Sequence, residues 1–240
     1  MKSVKRVLRI IGKTLKWVLI VFFTSSILAV IVYRWVPVYV TPLMVFNTIG
    51  HVVKGERATF YHEWVPLERM SPHLPIAVIS SEDQNYPIHH GFDMKAIEQA
   101  VEYNKTHERK RGASTISQQT AKNVFLWQSR TWFRKGLEAY FTFLIELFWP
   151  KERIIEVYLN SIEMGDDIYG AQAVAEHHFN KTAKLLTREE CALIAASLPN
   201  PHKYNSAQPS PYLYKRQRAI LRQMNFVEYA YPQLKGYTDK

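Results

Sequence analysis

Cysteine occurs once in the 240 residues, at position 191, so no disulfide can form within the chain, although this does not fix the compartment. Ala192, Leu193, Ile194, Ala195 and Ala196 follow it directly, and that apolar setting makes Cys191 a small buried hydrophobe rather than a nucleophile. In the folded part no alternation of polar and apolar residues marks a strand of any length, and no segment repeats, so a mainly α domain is expected. Acidic residues are missing from the first sixteen positions, where Lys2, Lys5, Arg6, Arg9, Lys13 and Lys16 lie. Those six account for most of the formal charge of +10: of 31 basic residues 25 remain, against 21 acidic ones, an excess of four. A nucleic-acid reader concentrates its bases on the folded domain, so no nucleic-acid partner is expected.

Charge of either sign is absent from Trp17 to Tyr33. These 17 residues reach the short end of the roughly 17–25 that cross a bilayer. Arg34 can snorkel, and Trp35 to Val40 prolongs the apolar stretch. A transmembrane helix over 17–36 follows. The basic tail at 1–16 holds its own end in the cytoplasm, so the rest of the chain lies outside. A cleaved signal peptide is the alternative; the run is long for one, and no small-x-small site follows.

Residues 37–66 read as a membrane-proximal connecting segment, punctuated by Pro37, Pro42 and Pro66 and without sustained helical period. Within it, Gly55-Glu56-Arg57-Ala58 and Trp64-Val65-Pro66-Leu67 look extended or irregular. The compact domain is expected over 67–240. Helices are expected from Leu74 to Glu82, Met94 to Asn104, Ser117 to Phe125, Arg134 to Trp149, Lys151 to Asn160, Tyr169 to His178 and Thr187 to Ser197. Leu137, Phe141, Leu144 and Phe148 give the fourth its stripe, and Thr187 with Glu190 gives the last a capping box.

Three polar motifs carry the chemistry. Glu82-Asp83 ends an apolar helix and is followed by Tyr86, His89 and Gly91-Phe92-Asp93; it is either a solvated helix end or a base with its pKa raised by an apolar wall. Ser114, Thr115, Ser117, Gln118 and Gln119, with Lys122 and Asn123, are either a decorated helix start or ligands for sugar and phosphate oxygens. Arg134, Lys135 and Glu138 are either an i,i+4 surface pair worth roughly 0.3–0.5 kcal/mol or, with Lys122, a clamp for pyrophosphate. Sugar transfer from a pyrophosphate needs a base for the attacking hydroxyl and positive charge for the leaving group.

The order and spacing of these motifs resemble those of the family-51 glycosyltransferases, which polymerise the glycan strands of bacterial peptidoglycan. The resemblance runs from about Leu67 to Pro201. It takes in Glu82-Asp83-x-x-Tyr86-x-x-His89-x-Gly91, Gly112-x-Ser114-Thr115-Ile116-x-Gln118-Gln119-x-x-Lys122-Asn123, and Arg134-Lys135-x-x-Glu138. Lys151-x-x-Ile154-Ile155-Glu156-x-Tyr158-Leu159-Asn160 follows, and then Tyr169-Gly170 with His178-Phe179-x-Lys181. Each motif alone is weak; five in order are specific. Tyr86 stands where the family usually has Phe, and Ser117 where Thr is common. The segment Glu163 to Ile168 is more acidic than usual and has no reading from sequence. No Ser-x-x-Lys or Lys-Thr-Gly occurs, so a transpeptidase activity is not expected, as in the monofunctional members.

The resemblance implies a lysozyme-like, mainly α domain with a head and a small jaw lobe behind one N-terminal transmembrane helix of the bacterial inner membrane. It implies Glu82 and Glu138 as catalytic residues: Glu82 as base, Glu138 keeping the site polar and positioning donor phosphates or a divalent ion. Asp83, His89, Ser114, Thr115, Gln118, Gln119, Lys122, Asn123, Arg134 and Lys135 would bind substrate. No cofactor is obligatory, with room for Mg or Mn at the pyrophosphate. The implied partners are lipid II, the nascent glycan strand, the membrane and other cell-wall synthesis proteins. Phe125, Leu126, Trp127, Trp132 and Phe133 belong either to the lipid interface or to the core. A peptidoglycan-cleaving enzyme of lysozyme type and a non-catalytic membrane scaffold are the rival readings.

Overall fold

The computed structural model describes residues 2–55, 59–108, 110–129 and 131–237. The chain divides into two compact units, Met1–Val36 and Pro37–Lys240. The first is helix α1, Lys2–Tyr33, of which Lys5–Tyr33 is long and apolar enough to cross a membrane. Helix ends at Tyr33, and Arg34, Trp35 and Val36 turn back onto the carbonyls of Ile31 and Val32. The helix therefore extends on the basic N-terminal side and does not continue through Trp35 to Val40.

The second unit is mostly helical. It opens with α2, Pro42–Val53, inside the stretch expected to lack helical period. Thr41 caps it, its hydroxyl accepting from the Met44 amide at 3.3 Å, and Pro42 occupies the first turn, where a missing N–H costs nothing. Proline here starts a helix. Of the two pieces expected to be irregular, Glu56, Arg57 and Ala58 lie outside the described residues. Trp64 to Pro66 is irregular, leading into a 3-10 turn at Leu67–Arg69.

The other helices are α3 (His73–Glu82), α4 (Met94–Thr106), α5 (Ile116–Phe125), α6 (Trp132–Phe148), α7 (Lys151–Ser161), α8 (Ala171–Phe179), α9 (Arg188–Ser197) and α10 (Pro211–Ala230). The last was not read from sequence. Helix α3 is buried from Leu74 through Ser80, which only a helix surrounded by others can be, and it packs against α9 and α10. Helix α5 packs against α6 and α7. The two groups meet where the end of α3 faces the start of α5. Cys191, in α9, is fully buried, and burial pushes its thiol up to about 12.

A small sheet, missed in the sequence, joins β1 (Tyr61–His62), β2 (Glu163–Gly165) and β3 (Ile168–Tyr169) in the order β1-β3-β2. β1 runs parallel and β2 antiparallel to β3. Strands of two or three residues are too short to show a period. Tyr169 therefore belongs to β3 and helix α8 begins at Ala171. Gly170 between them has φ +84°, and a Cβ there would stand 2.7 Å from the Asn160 carbonyl oxygen, so only glycine fits. Asn160 in turn exchanges hydrogen bonds with both the N–H and the C=O of Val65, tying the entry segment to α7.

Candidate functional site

Glu82 ends α3, and the loop after it is fastened at every turn. Asp83 is buried; its carboxylate accepts from His89 Nε2 at 2.9 and 3.0 Å and from the Ile116 amide at 2.9 Å. The Gly91 amide donates to His89 Nδ1 at 3.1 Å, so Nε2 carries the proton. Asn85 donates to Asp93, which caps α4 through the Ala96 amide. Gly91 has φ +88°, with Thr142 and Glu146 packed where a Cβ would be, and its carbonyl accepts from Thr115 at 2.6 Å. Tyr86 is fully buried and donates to the Lys151 carbonyl at 2.6 Å, so the hydroxyl that departs from the usual Phe has a partner. Ser117, the other departure, donates to Glu146, which also accepts from Lys151 at 2.8 Å.

The start of α5 stands against this loop. Thr115 caps the helix in a capping box with Gln118, whose side chain accepts from the Thr115 amide at 3.0 Å. One turn further, Gln119 Nε2 donates to Glu82 at 3.2 Å, and Gln119 accepts from the buried Tyr158 hydroxyl at 3.2 Å. Ser81 donates to the same carboxyl group at 3.3 Å. Burial pushes the Glu82 carboxyl pKa up, with Asp83 adding to the rise; Gln119, Ser81 and the charge of Arg216 on α10 oppose it.

Arg134, Lys135 and Glu138 lie on the first turns of α6. Glu138 is 3% exposed and accepts from Arg134 Nη1 at 2.7 Å and from Lys135. Arg134 Nε also donates to the Ser129 carbonyl at 2.5 Å. The surface-pair alternative is thus corrected: these groups form a mostly buried ion triad. Lys122 is half-buried and, among the described residues, forms no ion pair. Burial lowers its pKa, Arg134 and Lys135 lower it further, and Glu138 raises it. Both Glu138 oxygens are engaged, and among the described residues no group of three or more His, Cys, Asp or Glu is arranged to hold a metal. The described residues do not by themselves build a divalent-cation site.

Two cavities meet at Glu82. One, of about 230 Å³, runs along Asp83, Asp93, Arg111, Ser114 and Thr115. The other, of about 300 Å³, runs along Gln119, Lys122, Asn123, Glu163 and Pro201. Among the described residues, Glu82 alone lines both. Of the residues singled out from sequence, Glu82, Asp83, Ser114, Thr115, Gln119, Lys122 and Asn123 line these cavities. His89 and Gln118 stand behind them in the fastening network, and Arg134, Lys135 and Glu138 lie close enough to Lys122 to act on its charge. Sequence reading missed Arg216, Tyr158 and Glu163 as neighbours of the site; Tyr158 stood inside a quoted motif and Glu163 in the acidic segment left without a reading, and Arg216 gave no signal. Leu126 is buried, whereas Trp132 and Phe133 are 92% and 70% exposed.

A helical domain that sets a half-buried glutamate between two polar cavities, with Lys122 in one of them and Arg134 and Lys135 near enough to act on its charge, suits an enzyme that transfers glycosyl groups. Residues 49–225 match the family model described as Transglycosylase. A biosynthetic peptidoglycan transglycosylase of Bacteroides thetaiotaomicron is 61% identical over 92% of this chain and 90% of its own length. Those of Bdellovibrio bacteriovorus and Pseudomonas putida are 52% and 49% identical, over 87% and 91% of this chain and 85% and 91% of their own lengths. The chain belongs to the transglycosylase family, whose domain is lysozyme-like.

Proposed function

We propose that this protein is a peptidoglycan glycosyltransferase that moves the growing glycan chain from undecaprenyl pyrophosphate to the 4-hydroxyl of the N-acetylglucosamine of lipid II. Glu82 takes the proton of that hydroxyl, and the oxygen attacks C1 of the N-acetylmuramic acid at the end of the chain. The C1–oxygen bond to pyrophosphate breaks, its electron pair leaves with the pyrophosphate, and one displacement inverts C1. Lys122 receives the developing charge, backed by Arg134 and Lys135, which Glu138 holds in place. Ser114, Asn123 and Gln119 offer hydrogen bonds along the two cavities, while Asp83, His89, Thr115 and Gln118 keep Glu82 in position.

The observation that carries this reading is Glu82 lining both of two polar cavities, with Lys122, which forms no ion pair among the described residues, in one of them. A raised carboxyl pKa suits a base near neutrality, and equally the acid of a cleaving enzyme; the cations favour transfer, because a pyrophosphate leaves by charge stabilisation. Incubation with labelled lipid II tests it. Wild-type protein should lengthen glycan strands, and Glu82→Gln should slow this by about 10²–10⁴-fold while still binding lipid II. Shortened strands, or near-normal polymerisation by the variant, would refute it. Gln also removes a buried charge, so the variant should melt at or above the wild-type temperature.

Helix α1 anchors the protein in the inner membrane in this reading, with Lys5, Arg6, Arg9, Lys13 and Lys16 on the cytoplasmic side and the catalytic unit outside, beside other cell-wall synthesis proteins. A reporter active only outside the cytoplasm, fused after Lys240, should be active; a silent reporter with a normally expressed fusion would reverse the topology.

A further inference from the structure

The acidic segment that sequence reading left without a role reaches into the cavity that contains Lys122. Glu163, at the start of β2, is 8% exposed and lines that cavity together with Glu82, Gln119 and Lys122. A buried carboxylate normally takes several short hydrogen bonds, at about 2.5–3.0 Å from hydroxyl donors. Glu163 has one backbone contact, from Asp167, while the Tyr169 hydroxyl and His202 Nε2 both stand at 3.5 Å. Its acceptor capacity is therefore largely unused on the protein side.

The neighbours fix what it can take. Asp166 and Asp167 surround it with further negative charge, and His202, which pairs with Asp166 at 2.5 Å, supplies the positive charge on that side. No ion pair joins Glu163 to Lys122 among the described residues. An anionic group would be repelled at this wall and drawn to Lys122, whereas a neutral donor, a hydroxyl or an amide N–H, would find an open acceptor.

We propose that Glu163 is a substrate-positioning residue that accepts a hydrogen bond from a hydroxyl or acetamido N–H of the pyrophosphate-linked sugar, so that Lys122 takes the phosphate part of the same ligand and Glu163 the sugar part. This rests on the glycosyl-transfer reading above. His202, on the loop before α10, steadies the carboxylate from behind and is raised in pKa, against its burial, by Asp166 and Glu163. The same wall would discriminate between sugars that keep the donor group and analogues that lack it.

The test is steady-state polymerisation of labelled lipid II by wild type, Glu163→Gln and Glu163→Ala, with melting temperatures measured on the same preparations. Glu163→Ala should raise KM by about 10-fold, the worth of a hydrogen bond to a charged acceptor, and Glu163→Gln, which keeps a neutral acceptor, by about threefold. For both, kcat should stay within about twofold of wild type. Where wild type polymerises, an unchanged KM in both variants overturns the assignment alone, as does a fall in melting temperature with KM unmoved, which marks a structural carboxylate. A loss of kcat at constant KM overturns it as well. No polymer from wild type overturns the glycosyl-transfer reading and this inference with it.

Discussion

Glu138→Gln separates a buried ion triad from surface decoration. The Glu138 and Arg134 side chains are 4% and 12% exposed and 2.7 Å apart, whereas Lys135 is 42% exposed. Removing one partner of a buried pair leaves the other charge uncompensated and costs about 3–5 kcal/mol. Arg134 keeps its bond to the Ser129 carbonyl and Lys135 keeps water, so the low end, about 3 kcal/mol, applies. The unit from Pro37 to Lys240 is of a size for which 1 kcal/mol moves the melting point by about 2–4 °C, giving a fall of roughly 6–12 °C. Arg134→Ala should cost less, because Glu138 retains Lys135. The variant also tests function. Glu138 is the group that raises the pKa of Lys122, so its neutralisation lowers that pKa further, and Lys122 loses its proton at a lower pH. The alkaline limb of the polymerisation profile should then move to lower pH. Melting of the full chain in detergent and a pH–rate profile measure both effects. An unchanged melting point would show that the triad contributes no more than an exposed pair, and an unmoved alkaline limb would remove Lys122 from the chemistry.

Tyr86→Phe deletes the hydrogen bond to the Lys151 carbonyl and should cost about 1 kcal/mol, seen as a melting point lower by about 2–4 °C with polymerisation little changed. Gly170→Ala forces a positive φ on alanine and puts its Cβ against the Asn160 carbonyl, so folded protein should be lost or its melting point lowered by far more than for Tyr86→Phe. Gly136→Ala, in the exposed face of α6 with no atom within 4 Å of the new Cβ, should instead raise stability by up to about 1 kcal/mol, read as a higher melting point.

Period and punctuation made most helices legible. The stripe on α6 buries Phe141 and Leu144 as expected, and Thr187 with Glu190 does cap α9. Two helices escaped. α2 begins at Thr41-Pro42 and α10 at Ser210-Pro211, so each opens with a hydroxyl cap and a proline in the first turn. Pro42, read as punctuation, hides the helix it starts, and no element was expected in the stretch that holds α10. The sheet escaped because its strands have only two or three residues.

The candidate site was legible as a set of residues and not as an arrangement. Glu82, Gln119 and Lys122 meet because α3 and α5 abut, which no spacing along the chain reveals. His89 and Gln118 are grouped with them as ligands by sequence, yet His89 engages both ring nitrogens inside the protein, with Asp83 and Gly91, and Gln118 turns its Oε1 to Thr115. Arg216 and Glu163 sit far along the chain, on α10 and β2, and only packing brings their charges to Glu82 and to the Lys122 cavity. Motif order therefore identifies the residues that hold the base as readily as those that touch the ligand. Unspent hydrogen-bonding capacity facing a cavity is the criterion on which the proposals above assign Lys122 and Glu163 to the ligand and His89 to the scaffold.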